Sequence, residues 1–183
     1  MIDTSTAFDA VPLKLMQQLG PKQVAFVVRD LEAAACQWWD LLRIGPWTAW
    51  EYTPQILEEM TYKGAPAQFG LKHALAWKDG VQFELVQPTT GPSFFADQLA
   101  SSGEGLNHIG IHVMENHAQA VAEIEEAGFT CIQSAKGFGG DGSGAFAYFS
   151  SPKLNGLVLE LIGPPAVRRE PLFVYPLAEE VKK

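Results

Sequence analysis

The 183-residue chain is poor in cysteine, with only Cys36 and Cys131, which lie far apart. So few and so distant, they do not form the framework of a disulfide-stapled secreted fold and read as reduced thiols of a cytoplasmic protein. Positive charge is also scarce: 13 Lys and Arg stand against 21 Asp and Glu, for a net charge of −8. Broad binding to nucleic acid or to an anionic membrane needs a basic surface, and this balance argues against both. It leaves room for a local basic pocket that takes an acidic small molecule. No apolar run approaches the ~18 residues a bilayer span requires. Met1 to Ala10 carries Asp3 and Asp9 and lacks the basic flank and apolar stretch of a signal peptide, so a cytoplasmic location is expected. What remains, 47% apolar and 19% charged residues, is a globular composition. It is enough for one ordinary domain or two small fused modules.

The chain repeats itself. Gln23-Val-Ala-Phe-Val-Val-Arg29 and His108-Ile-Gly-Ile-His-Val-Met114 are both short β-type runs. Each leads into a polar turn, at Asp30 and at Glu115-Asn116, where Asp and Asn suit a helix N-cap. Helical stripes follow: Leu31, Ala34, Ala35, Trp38, Leu41 and Leu42 in the first half; Ala118, Val121, Ala122, Ile124 and Ala127 in the second. Gly45 and Gly128 stand where these helices would stop. Further strands are expected around 47–52, 68–78, 129–133 and 145–150. The halves close alike, with Phe83-Glu-Leu-Val-Gln-Pro88 and Leu159-Glu-Leu-Ile-Gly-Pro164. The first half is longer, chiefly through an insertion at 53–67. The pattern predicts an N-terminal extension over 1–20 with a short helix near Leu13 to Leu19, and βαβββ modules at 21–90 and 107–164. A linker at 91–106 holds a short helix near Phe94 to Leu99, and an extended tail follows over 165–183.

The repeat singles out Gln23, Glu84, His108 and Glu160, two opening the first strand of each half and two inside the last. Alternation along a strand gives each of them the face opposite to its apolar neighbours. If the sheet curls, the four converge. Two buried carboxylates in one cavity repel each other unless a cation joins them. An imidazole, two carboxylates and an amide oxygen form a mixed nitrogen and oxygen set for a divalent ion (Ni, Co, Mn, Fe, Mg or Zn), octahedral in preference to structural zinc. Around this set, His73 and His112 are candidate cleft residues, the latter four positions beyond His108 on the same strand face. Trp47 and Trp50, after Gly45-Pro46, are candidates for an apolar pocket wall. His117 reads as an exposed residue at a helix start. The Gly137 to Gly144 segment lacks the Gly-Lys-Ser/Thr ending of a phosphate loop and reads either as a lid or as a long hairpin turn.

These motifs, the Gln23 to Ala34 opening, Leu106-Asn-His-Ile-Gly-Ile-His-Val113 and the two Glu-Leu-aliphatic endings, resemble the vicinal-oxygen-chelate superfamily of glyoxalases, methylmalonyl-CoA epimerases, extradiol dioxygenases and bleomycin-resistance proteins. The resemblance covers about residues 21–164 and is strongest to the epimerase and glyoxalase-type branch. It implies an α+β fold of tandem βαβββ modules forming a curved open barrel around a divalent metal, often as a homodimer. Carried over position by position, the metal ligands are Gln23, Glu84, His108 and Glu160. Methylmalonyl-CoA epimerases usually have His then Gln at the first two, where this chain has Gln then Glu. Their second catalytic acid has no clear counterpart, only Glu51, Glu58 and Glu59 nearby. The resemblance implies an epimerase, isomerase or lyase acting on a small carbonyl substrate, thioesters included, through a metal-stabilised enolate with Glu160 or Glu84 moving the proton. An Fe(II) extradiol-type dioxygenase is the first alternative, though Gln23 stands where that chemistry wants a second His. A non-catalytic small-molecule binder is the other, and such proteins often lack the ligand set present here.

Overall fold

A computed structural model describes residues 18–177. The strands and helices run β1 (Gln23–Val27), α1 (Leu31–Leu42), β2 (Trp47–Tyr52), β3 (Glu58–Tyr62), β4 (Ala65–Pro66), β5 (Gly70–Lys78) and β6 (Val81–Thr90). A linker helix α2 (Phe94–Ser101) leads to β7 (Gly105–His112), α3 (His117–Glu126), β8 (Thr130–Lys136), β9 (Ala145–Ser150), β10 (Val158–Gly163) and β11 (Phe173–Tyr175). All eleven strands lie in one sheet, in the order β11-β2-β5-β6-β1-β7-β10-β9-β8-β3-β4. Its centre is the repeat: β2-β5-β6-β1 mirrors β8-β9-β10-β7, and the halves meet where β1 pairs antiparallel with β7. The result is the expected α+β fold, a sheet curled into an open half-barrel.

Alternation sorts the side chains into three cores. On the convex face, α1 buries Leu31 and Ala35 against Trp47, Ala49, Ala74, Ala76 and Leu85. The second module's helix, α3, buries Ala120 and Ile124 against Ile111, Phe149, Leu159 and Leu161. The concave face is filled by Val27, Trp50, Tyr52, Phe69, Val86, Phe95, Phe146 and Tyr148. Asp30 caps α1 as expected, its Oδ1 accepting from Ala33 N at 3.0 Å. Asn116 does not cap α3: it adopts a left-handed backbone, φ 56°, and its side chain makes no cap bond. The first helix also stops earlier than the Gly45 signal, on a left-handed Arg43. Gly128 does follow α3, with φ +86°.

Two segments outside the repeat cover the sheet's edges, which exposed would be templates for aggregation. The 53–67 insertion forms the β3–β4 hairpin and crosses to the second module, pairing β3 antiparallel with β8. The tail reads as extended and is partly a strand: β11 pairs with β2 on the first module's edge. The expected leading helix lies outside the described residues apart from its end at Gln18. Among the described residues, no helix is long and apolar enough to cross a membrane.

Candidate metal centre and its cleft

The four adjacent central strands β6, β1, β7 and β10 each contribute one of the singled-out side chains. The two halves place them in matching register: Glu84 lies beside Ala25 on the parallel β1–β6 pair, and Glu160 beside Gly110 on the parallel β7–β10 pair. Ala25 and Gly110 are therefore equivalent small residues, each two positions after a polar one (Gln23 or His108). Gly110 has no room to be larger, because a Cβ there would overlap the Gln23 amide oxygen and stand 2.9 Å from Gln23 Cβ and Ile162 Cδ1.

The four side chains converge. Gln23 Nε2 donates to Glu84 Oε2 at 2.6 Å. His108 Nε2 lies 3.0 Å from Glu160 Oε2 and 3.2 Å from Glu84 Oε2. All are buried, His108 completely. Asn107 Oδ1 accepts from His108 Nδ1 at 2.7 Å, and Asn107 Nδ2 donates to Gln98 Oε1 at 2.8 Å. The linker helix thus holds the imidazole with Nε2 aimed at both carboxylates. Burial alone would lower the His108 pKa; the Glu160 and Glu84 charges overcome it and lift it to about 9. Burial alone would raise Glu84, but hydrogen bonds from His108 and His73 hold its carboxyl at about 2. Glu160 is shifted the other way. Burial raises it, the Glu84 charge adds to the shift, and the His108 attraction does not offset them.

The donors suit a divalent cation. One atom each from Glu84, His108 and Glu160 lie within 4.8 Å of one another. Adjacent ligands at right angles around an ion with ~2.1 Å bonds stand about 3 Å apart, the separation that His108 keeps from each carboxylate. Gln23 Oε1, a hard oxygen donor, is buried with no hydrogen-bond partner among the described residues. Two carboxylates balance a 2+ charge, and an oxygen-rich set with one imidazole fits Mn, Mg, Fe, Co or Ni chemistry.

This cluster floors a cleft of about 220 Å³ whose wall is mainly apolar, including Leu71, Val86, Phe138, Phe146 and Ile162. His73 and His112 both line it. His73 does more, since its Nδ1–H donates to Glu84 Oε1 at 2.8 Å, leaving Nε2 buried without a partner among the described residues. Burial lowers the His112 pKa, with the Arg168 and Lys22 charges adding, and its Nε2 lies 3.0 Å from Gln82 Oε1. The two tryptophans part company. Trp47 is on the convex face, fully buried against Trp38 at 6.0 Å between rings, and does not line the cleft. Three residues apart on a strand is an odd step, so Trp47 and Trp50 must face opposite ways. Trp50 sits on the concave side, 5.6 Å from the His73 ring, behind the cleft wall. His117 is half-buried, its Nε2–H donating to Leu161 O at 3.1 Å, and is not the exposed residue expected. Glu51, Glu58 and Glu59 do not line the cleft, and Glu59 pairs with Lys136 at 2.6 Å.

Sequence reasoning missed Asn107, Tyr148, Gln82 and Arg168. Tyr148 is paired with Glu160 in the β9–β10 register, and burial beside that carboxylate drives its pKa far upward. The signal for it was the alternation of Phe146 and Tyr148 on the strand before Glu160. The glycine-rich segment is a hairpin connection with its own ladder, Gly137 N to Gly144 O at 2.9 Å and Gly139 N to Ser143 O at 2.7 Å. Its Phe138 forms part of the cleft wall.

Paired βαβββ modules in one curled sheet, with two buried carboxylates at the floor of an apolar cleft and an imidazole behind them, define a class of duplicated-module proteins whose buried side chains suit a divalent cation. The chain belongs to the Glyoxalase/Bleomycin resistance protein/Dioxygenase superfamily, whose family model matches residues 22–149. A comparison with curated proteins found no match. Among solved structures, a hypothetical protein from Bacillus halodurans is 18% identical, covers 84% of this chain and 99% of its own, and has a TM-score of 0.55. Methylmalonyl-CoA epimerase from Mycobacterium tuberculosis is 20% identical, with coverages of 79% and 87% and a TM-score of 0.54. A Streptomyces coelicolor methylmalonyl-CoA epimerase variant in complex with 2-nitronate-propionyl-CoA is 18% identical, with coverages of 81% and 96% and a TM-score of 0.51. At these identities the likeness is one of fold.

Proposed function

We propose that the chain is a divalent-metal-dependent enzyme that moves a proton at the carbon beside a carbonyl group, as an epimerase, isomerase or lyase. The observation carrying this reading is the convergence of Glu84 and Glu160 at the floor of the cleft with His108 buried behind them, the Gln23 amide oxygen beside them having no partner among the described residues. Gln23, Glu84, His108 and Glu160 would hold the cation. When bound, it would supply the positive charge that stabilises an oxyanion on the substrate.

The two carboxylates are not equivalent. Glu84 is held by Gln23, His73 and His108. Glu160 is held by His108 and by the Tyr148 hydroxyl beside it. Glu84, with three partners, is therefore the more firmly held anchor, and Glu160, with two, is the carboxylate that accepts the substrate's proton. Return of the proton to the same carbon is epimerisation; return to a neighbouring carbon is isomerisation. The apolar walls exclude water from the carbanionic state. Methylmalonyl-CoA, bound by a protein of the same fold, is a reasonable first thioester to test.

The test has two parts. Protein purified without chelator is analysed for metal, and a panel of thioesters and small ketones is incubated with it in deuterium oxide. A stoichiometric divalent ion and deuterium incorporation next to a carbonyl are expected, with incorporation lost in Glu160→Gln while metal is retained. Full metal content with undiminished exchange in Glu160→Gln removes Glu160 as the base.

A further inference from the structure

Between β10 and β11 the chain crosses the mouth of the cleft, beyond the residues the family model matches, and there it carries Arg168. We propose that Arg168 is the specificity-determining residue of the cleft, selecting carbonyl substrates that also bear an oxyanion, a carboxylate or a phosphate, at the end away from the cation. This deepens the reading above and relies on it only for the chemistry at the floor.

Arg168 is the one permanently cationic side chain among the residues lining the cleft. It has no carboxylate partner among the described residues: the Lys63–Asp97, Lys136–Glu59 and histidine pairs do not involve it. The backbone that carries it is fixed on both sides. Gly140 N donates to Val167 O at 2.8 Å and Ala166 N to Ser143 Oγ at 2.8 Å. Trp50 Nε1 donates to Arg169 O at 2.9 Å, and Arg169 Nε to Phe138 O at 3.2 Å. The guanidinium itself lies over the Trp50 ring, 5.0 Å from its centroid. A planar fork held by a ring and a tethered backbone loses little freedom on meeting a carboxylate or phosphate. Its charge is felt inside the cleft, where it opposes protonation of His112 and favours ionisation of Tyr52. The cleft thus has a hard, oxygen-binding floor, an apolar middle and a cationic mouth. That sequence of chemistries matches a carbonyl joined to an acid by a short apolar spacer.

The experiment titrates manganese-loaded and chelator-treated protein with acetoacetate, levulinate and 5-oxohexanoate, whose spacers lengthen by one methylene each. Their methyl esters and 3-oxobutylphosphonate are titrated alongside. Binding is read by calorimetry and by tryptophan fluorescence. At low salt at least one acid is expected to bind about fivefold or more tightly than its ester, the preference shrinking as salt is raised. The preference should vanish in Arg168→Gln and persist in part in Arg168→Lys, with metal content and Tm unchanged. The ratio of levulinate to phosphonate affinity shows which oxyanion is favoured. Acids and esters binding alike at every spacer length, no acid binding below about 20 mM, or a preference that survives Arg168→Gln each overturn the proposal. Failure to bind manganese would instead sink the metal-enzyme reading, because the acid-to-ester ratio is also measured without metal.

Discussion

Replacing Gly110 with alanine adds a single methyl group at the most crowded point of the cluster. The residue's backbone conformation is one that any amino acid adopts, so the effect is steric alone. The new Cβ would overlap the Gln23 amide oxygen and stand 2.9 Å from both Gln23 Cβ and Ile162 Cδ1. Ile162 Cδ1 is a side-chain tip on the cleft wall and can turn aside, but the Gln23 amide is tied to Glu84 and its Cβ is fixed by β1, so the strain falls on Gln23. Overpacking of this kind costs about 2 kcal/mol. For a chain of this length that is about 4–8 °C in Tm. Displacing Gln23 also removes one of the four candidate ligands, so manganese affinity should fall about tenfold or more, a size typical of disturbed ligand orientation. Gly20→Ala is the control, because nothing lies within 4 Å of a Cβ there. Calorimetric melting and manganese titration of both variants decide the matter. If Gly110→Ala melts and binds manganese like Gly20→Ala, the floor is not packed as described and the ligand role of Gln23 loses its support.

Two further outcomes follow from the same geometry. The folded-state pKa of His108 is raised to about 9, so in chelator-treated protein its protonation contributes stability fully present below its unfolded value of ~6.5 and lost as pH rises through about 9. Tm of that protein should decline over this window while manganese affinity rises across it, since proton and cation compete for Nε2; a flat melting profile counts against a shared proton. Asn107→Ala removes the acceptor that fixes the His108 ring and should weaken manganese binding about tenfold with little change in Tm, whereas unchanged affinity shows that the ring is oriented by packing alone.

The duplicated fold was legible because it is written in local periodicity. Val- and Ile-rich runs, an apolar helical stripe after each, and the two Glu-Leu-aliphatic endings recur in order, and each depends only on residues close in the chain. The same period of two placed Gln23, Glu84, His108 and Glu160 on one face, which is why the candidate cluster could be named before any contact was known. Turn chemistry is less legible: Asn116 suits a helix cap but turns the backbone instead, and nothing local in the 53–67 insertion marks its reach to the far module.

What the sequence alone determined is therefore the modules, their order and the face on which each polar side chain lies. Tertiary structure decided which faces meet: that Trp47 is turned away from the cleft and Trp50 toward it, that Asn107 on β7 is gripped by Gln98 from the linker helix, and that the tail carries Arg168 across the mouth. Strand alternation fixes that the two tryptophans face opposite ways but not which way is inward, Asn107 meets Gln98 only because the linker helix folds back on β7, and the tail's crossing joins residues far apart in the chain, so no local pattern encodes these outcomes. They are set by the curl of the sheet and by which edge each extra segment finds unpaired.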